Sequence, residues 1–165
     1  MAEFRPREIL AALDAHDVRY VLIGGLAAVL HGAPHVTTDV DVVPEDAKHN
    51  LDRLSAALKD LGARIRVTGE PEGVPFDHSS ESLARVRIWN LQTDLGDLDL
   101  TFEPSGTKGY DDLVRDAVVM QVRGISVAVA SLADVIRSKE AAGRPRDRAA
   151  LPALRELLSR RRSER

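Results

Sequence analysis

The chain has no cysteine among its 165 residues. That excludes disulfides, zinc–thiolate centres and thiol nucleophiles, and it fits a reducing compartment, so a cytoplasmic setting is expected. No apolar run approaches the roughly 20 residues that a membrane span requires. The N-terminal "MAEFRPREIL" is charged and has no apolar signal core. No membrane partner is therefore expected. A large excess of one charge is also missing: the net charge is −3. A basic coat for nucleic acid is excluded, and only a local basic patch remains open. Lysine is rare, at positions 48, 59, 108 and 139 alone.

What is present suits a globular domain: 44% hydrophobic and 30% charged residues. The length fits one domain over residues 1–165, able to bury a core without cross-links. It divides into an N-terminal helix (1–17), a body of strands and helices (18–130) and a helical end (131–165). "RPREILAALDAH" carries its apolar residues at helical spacing. "VRYVLIG" reads as a strand, "GLAAVLHG" as a short helix and "TDVDVVP" as a second strand. "EDAKHNLDRLSAALKDLG" places Leu51, Leu54, Leu58 and Leu61 on one side and stops at Gly62. The stretch 67–82 reads as a loop, or as two short edge strands around a turn. "LARVRIWNLQT" and "GDLDLTF" alternate like strands, "YDDLVRDA" is a short helix, and "VVMQVRGISVAVA" is a hairpin turning at Arg123-Gly124. "SLADVIRSKEAAG" opens on a Ser-x-x-Asp cap. In the remaining helical tail, Pro152 either kinks one helix or begins another.

Two acids stand inside an apolar strand. The period of two puts Asp39 and Asp41 on one face and Val40 and Val42 on the other. Their Cα atoms are then about 6–7 Å apart. Like charges so close raise each other's pKa unless a cation lies between them. "GDLDLTF" repeats the pattern with Asp97 and Asp99. A carboxylate pair plus a third acid on a neighbouring strand suits a two-metal centre, and Mg²⁺ takes carboxylates together with substrate phosphates. Upstream, "VLIGGLAAVLHG" reads as strand, Gly-Gly turn and helix, a backbone that approaches phosphates closely. The plainer alternative is a pair of acid-bearing edge strands and an ordinary turn.

Gly24-Gly25, thirteen residues, then "DVDV" together resemble the signature of the nucleotidyltransferase superfamily, the polymerase-β-like fold. "IGGLAAVLHGAPHVTTDVDVV" and "SLADVIRSKEAAGRPRDRAAL" resemble its bacterial AbiEii and MenT branch. The resemblance spans roughly residues 18–155. It implies an α+β fold, a mixed β-sheet with helices mainly on one side and a C-terminal helical segment. It implies Asp39, Asp41 and Asp99 as catalytic, metal-binding residues for Mg²⁺ or Mn²⁺, with Asp97 outside the set. Gly24, Gly25, His35, Thr38 and Lys139 are the implied nucleotide-binding residues. The implied reaction moves an NMP from an NTP to an acceptor hydroxyl on tRNA, protein or a small molecule, with a toxin role and an antitoxin partner as further expectations. Many relatives carry Ser where Gly25 stands and Arg where His35 stands. These departures motivate an alternative, an inactive binding or regulatory module. A sugar-nucleotide enzyme fits less well, given the short chain and the Gly-Gly spacing. Arg144, Arg146 and Asp147 either order the tail by ion pairs or touch the acceptor, the first being the favoured reading. His31 reads as structural, and Arg160, Arg161, Arg162 and Arg165 as a solvated, frayed helix end, with contact to RNA as the alternative.

Overall fold

A computed structural model describes residues 3–165. The chain begins with α1 (Pro6–Ala15), β1 (Tyr20–Ile23), α2 (Gly24–Leu30), β2 (Asp39–Pro44) and α3 (Lys48–Asp60). An edge hairpin follows, β3 (Arg64–Val67) and β4 (Glu70–Val74), then α4 (Ser80–Arg85), β5 (Ile88–Thr93) and β6 (Gly96–Thr101). The remainder is α5 (Tyr110–Leu113), the hairpin β7 (Val118–Val122) and β8 (Ile125–Val129), α6 (Leu132–Ala142) and α7 (Pro145–Ser163). All eight strands join one sheet in the order β4-β3-β5-β6-β2-β1-β8-β7. The pairs β2–β6 and β1–β8 are parallel and the others antiparallel. This is the mixed α+β sheet that the sequence implies.

The alternation in β2 and β6 sorts the two faces. Val40, Val42, Leu98 and Leu100 are buried in a core shared with Ile9, Leu10 and Leu13 of α1 and Leu51, Leu54 and Leu58 of α3. The aspartates point the other way, toward a cleft bordered by α6 and the start of α7. Asn50 ties the two ends of this arrangement together. Its side chain accepts from Arg19 N (2.7 Å) and donates to the carbonyls of Arg19 (2.8 Å) and Glu45 (2.9 Å). It thereby closes the backbone polar groups where β1 begins and β2 ends.

One local reading changes and another is decided between its two alternatives. "LAR" belongs to α4 and not to a strand, because Ser79 accepts from Ser82 N (3.2 Å) and caps a short helix. Pro152 lies inside α7 without starting a new helix. It is exposed, so the carbonyl it leaves unbonded can meet water.

The arginine-rich end is also more structural than a frayed tail. His31 is buried, its Nε2–H donating to Ala130 O (2.8 Å). Its Nδ1 accepts from Arg161 Nη1 (2.8 Å), and Arg161 Nη2 donates to the His31 carbonyl. One arginine thus pins α7 to the end of α2. Burial, followed by the Arg161 charge, holds the His31 pKa below its ordinary 6.5, against the pull of Ala130 O. The unfolded chain therefore binds the proton more readily, and this contact loses its stabilising effect as pH falls below 6.5. Arg161→Ala is expected to cost about 1–3 kcal/mol at pH 8, and clearly less at pH 5. Denaturant unfolding of both proteins at the two pH values measures it.

Candidate active site

The cleft is built around the exit of β1. Ile23 pairs with Asp41 across the antiparallel β1–β2 ladder, and Gly24 then turns into α2 with φ +75°. That left-handed backbone favours glycine. Space demands it as well: a Cβ on Gly24 would land on the Asp41 carboxylate. The glycine therefore lets Asp41 lie against the main chain. Gly25 has an ordinary φ, and a Cβ there would lie 3.0 Å from Thr37 Oγ1. A hydroxyl from Thr37 thus borders the place where many relatives carry Ser.

The parallel β2–β6 register sets Asp41 beside Asp99 and Asp39 beside Asp97. Asp39, Asp41 and Asp99 each bring an oxygen within 4.8 Å of the others. Three carboxylates so close, from two rigid strands, form a hard-oxygen donor set that fits a divalent Mg²⁺ or Mn²⁺. Thr37 Oγ1 donates to Asp39 O (3.1 Å) and steadies the entry to β2. Asp99 is 8% exposed.

The charges are held against their preference. Burial first, then the neighbouring Asp39 and Asp99 charges, push the Asp41 carboxyl up to about 8. Burial also pushes Asp99 up, to about 6, with Arg66 opposing it. Because the Asp41 folded pKa lies above its ordinary 3.8, metal-free stability from this group is greatest in acid and declines as pH rises through about 8. A bound divalent cation favours the ionised form. Added Mg²⁺ is therefore expected to raise the melting midpoint more at pH 8 than at pH 5.5, a difference that calorimetry can follow and that Asp41→Asn should flatten.

Asp97 turns out not to join the cluster. Arg66, from β3, reaches over β5 and ties up both acids of β6: Nη1 lies 3.3 Å from Asp97 Oδ2 and Nη2 lies 3.0 Å from Asp99 Oδ1. Arg66 has no signal in the sequence beyond the alternation of "RIRV". Its role depends on a strand order that local pattern does not reveal.

Lys139 on α6 borders the cleft, and its Nζ lies 3.7 Å from Asp147 Oδ1. Asp147, 1% exposed, also accepts from Arg144 Nε (2.7 Å) and Arg144 N (3.2 Å), closing a capping box on α7. Arg144 and Asp147 thus order the tail, as the sequence suggests. Arg146 borders the cleft, where its charge opposes the rise of the Asp41 pKa. Two connected lobes flank the aspartates. The first, of about 590 Å³, runs over Ile88, Asn90, Thr101 and Ser105 toward α6. The second, of about 400 Å³, runs over Gly24, Gly25, His35, Thr37 and Thr38 toward the start of α7. His35 Nε2 is buried there without a hydrogen-bond partner.

A mixed sheet whose parallel central strands bring three carboxylates to a strand–Gly-Gly–helix turn is the architecture of a nucleotidyltransferase. The chain belongs to the aminoglycoside-2''-adenylyltransferase family, whose model matches residues 7–151. It is accordingly an enzyme of the nucleotidyltransferase class. The AbiEii and MenT branch is not the one matched. The Gly-Gly to Asp-x-Asp segment recurs across the superfamily, so it does not separate one branch from another.

Three solved structures share the fold. A candidate nucleotidyltransferase of Thermotoga maritima, TM1012, aligns over 99% of this chain and 98% of its own at 16% identity, with TM-score 0.56. The lincosamide antibiotic adenylyltransferase LnuA, solved with lincomycin bound, aligns over 94% and 99% at 16% identity, with TM-score 0.59. The antibiotic-resistance factor ANT(2'')-Ia aligns over 96% and 89% at 16% identity, with TM-score 0.53. No curated protein sequence matches the chain.

Proposed function

We propose that this protein transfers an adenylyl group from ATP to a hydroxyl of a small molecule, with Asp39, Asp41 and Asp99 as its catalytic carboxylates. The observation that carries the reading is the approach of these three acids to within 4.8 Å of one another beside Gly24. The family and one of the shared folds, LnuA, bear adenylyltransferase names, which favours ATP as donor. The same names favour a small-molecule acceptor over the tRNA, protein or antitoxin partners that the motifs suggested.

Asp39, Asp41 and Asp99 would hold Mg²⁺ or Mn²⁺, which when bound neutralises phosphate charge and acidifies a nearby hydroxyl. The chain's own groups supply the rest. The triphosphate lies along the smaller lobe, against the backbone of Gly24 and Gly25 and the hydroxyls of Thr37 and Thr38. With α2 only seven residues long, charge there comes chiefly from Lys139 and Arg146. The acceptor hydroxyl attacks the α-phosphorus, the bond to the bridging oxygen breaks, and pyrophosphate leaves with the electron pair. Asp99 takes the hydroxyl proton. Positioning and charge neutralisation provide most of the acceleration, as in other phosphoryl-type transfers.

Thr37 and Arg146 stand in for the serine and arginine that this chain lacks. That supports an active enzyme over an inactive binding module. The test is incubation with each α-³²P-labelled NTP and Mg²⁺ against aminoglycosides, lincosamides, total RNA and lysate protein. Label on a small molecule, strongest from ATP and lost in Asp41→Asn, is the expected result. Label confined to RNA or protein would overturn the acceptor class, and no binding of any Mg-NTP would overturn the reaction.

A further inference from the structure

Arg66 lies outside every motif, yet it joins the catalytic carboxylates to the edge hairpin. Ile65 pairs with Leu91 on β5, and the next row of β5, Asn90, pairs with Asp99 on β6. Arg66, Asn90, Asp99 and Asp41 thus follow one another across four strands. The guanidinium passes over β5 and is held at three points: it donates to Leu91 O (3.0 Å), pairs with Asp97 Oδ2 (3.3 Å), and donates to Asp99 Oδ1 (3.0 Å). Its side chain is 35% exposed, and it borders the larger lobe of the cleft.

A carboxylate on a strand is free to rotate unless something grips one oxygen. Asp39 and Asp41 are constrained by their neighbours: Thr37 Oγ1 near Asp39 Oδ1 (3.5 Å), and the Gly24 backbone packed against Asp41. For Asp99, the grip is Arg66. The planar fork offers N–H groups in a fixed arrangement, and two of its three acceptors, Leu91 O and Asp97, are independent of the catalytic set.

We propose that Arg66 is a positioning residue, anchored by Asp97 and Leu91 O, that fixes the Asp99 carboxylate by one oxygen and leaves the other turned toward Asp39 and Asp41. Asp97, which shares the face and register of the catalytic acids, thereby acts as the counter-anchor of the arginine and not as a fourth ligand. The inference rests on the reading of Asp39, Asp41 and Asp99 as a divalent-ion centre. Outer partners that orient a ligand commonly set metal affinity by about 10- to 100-fold.

The charge of Arg66 by itself repels a cation, so deleting it mixes two effects of opposite sign. Arg66→Lys separates them: it keeps the charge and loses the fork. The experiment is Mn²⁺ titration of the whole chain, followed by electron paramagnetic resonance, with thermal unfolding of each variant as a fold control. Arg66→Lys is expected to bind Mn²⁺ about 10-fold more weakly or worse. Asp97→Asn should weaken it in the same direction by less, and the double variant should not be additive. Mn²⁺ affinity in Arg66→Lys equal to or tighter than wild type overturns the proposal. Asp97→Asn keeps the test decisive if the arginine variants fail to fold. Should wild type itself bind no Mn²⁺, with or without ATP, the divalent-ion centre is what fails.

Discussion

Asp41→Asn is expected to lower nucleotidyl transfer by roughly three to five orders of magnitude, the scale on which charge-stabilising groups act in phosphoryl transfer. The same substitution should make the metal-free protein more heat-stable. Asp41 is confined between the Gly24 backbone and two other acids, and its carboxyl is pushed up to about 8. An amide of the same shape removes that repulsion and can donate to the Asp39 or Asp99 oxygens. The gain should be roughly 1–3 kcal/mol at pH 8, since each pKa unit of strain is worth about 1.4 kcal/mol and neighbours relax part of it. It should shrink toward pH 5, where the wild-type acid is protonated. Kinetics with saturating Mg-ATP and melting curves across this range measure both arms. A variant that loses activity and stability together would show that Asp41 supports the fold and carries no functional strain.

Gly24→Ala should damage fold and site at once. The added methyl lands on the Asp41 carboxylate, and φ +75° is a backbone that alanine resists at about 1–2 kcal/mol. Clash and strain together should cost about 2–4 kcal/mol of stability, and Mn²⁺ binding should be lost with the displaced aspartate. Gly25→Ala is the internal control. Its φ is ordinary and its nearest neighbour is a threonine hydroxyl at 3.0 Å, so a small shift of Thr37 accommodates the methyl. Stability should then change by under about 1 kcal/mol, with the main effect on KM for ATP. Equal damage from the two alanines, by unfolding and by titration, would contradict this account of the turn.

The acid pair was readable because a strand has a fixed period. Asp39 and Asp41 must share a face whatever lies around them, and valines on the alternate positions say which face is buried. The same holds for Asp97 and Asp99. Which of those two completes the cluster was not a matter of period, since both point the same way. The family resemblance names Asp99, and in the structure it is Asp99 that shares a rung with Asp41, while Arg66 pairs with both acids from 31 and 33 positions earlier in the chain. Local pattern carries no record of such a pairing. The start of α4 was hidden for a different reason: the β-branched run "VRI" just after it outweighs one short cap at Ser79. His31 was rightly read as structural, but its partner Arg161 lies 130 residues away. The arginine run around it looks like any solvated helix end until α7 folds back on α2.

The parallel pairing of β2 with β6 has an evolutionary corollary. Asp41 and Asp99 share a rung only while the number of residues in each ladder is preserved, and neighbouring positions face opposite sides. Loops such as 68–69 or 123–124 can lengthen freely. A single-residue insertion within β6, by contrast, would exchange Asp99 for Leu98 or Leu100 in the cleft and bury a carboxylate among leucines. Descendants of this chain should therefore diverge in their hairpin tips while keeping the spacing along these two strands.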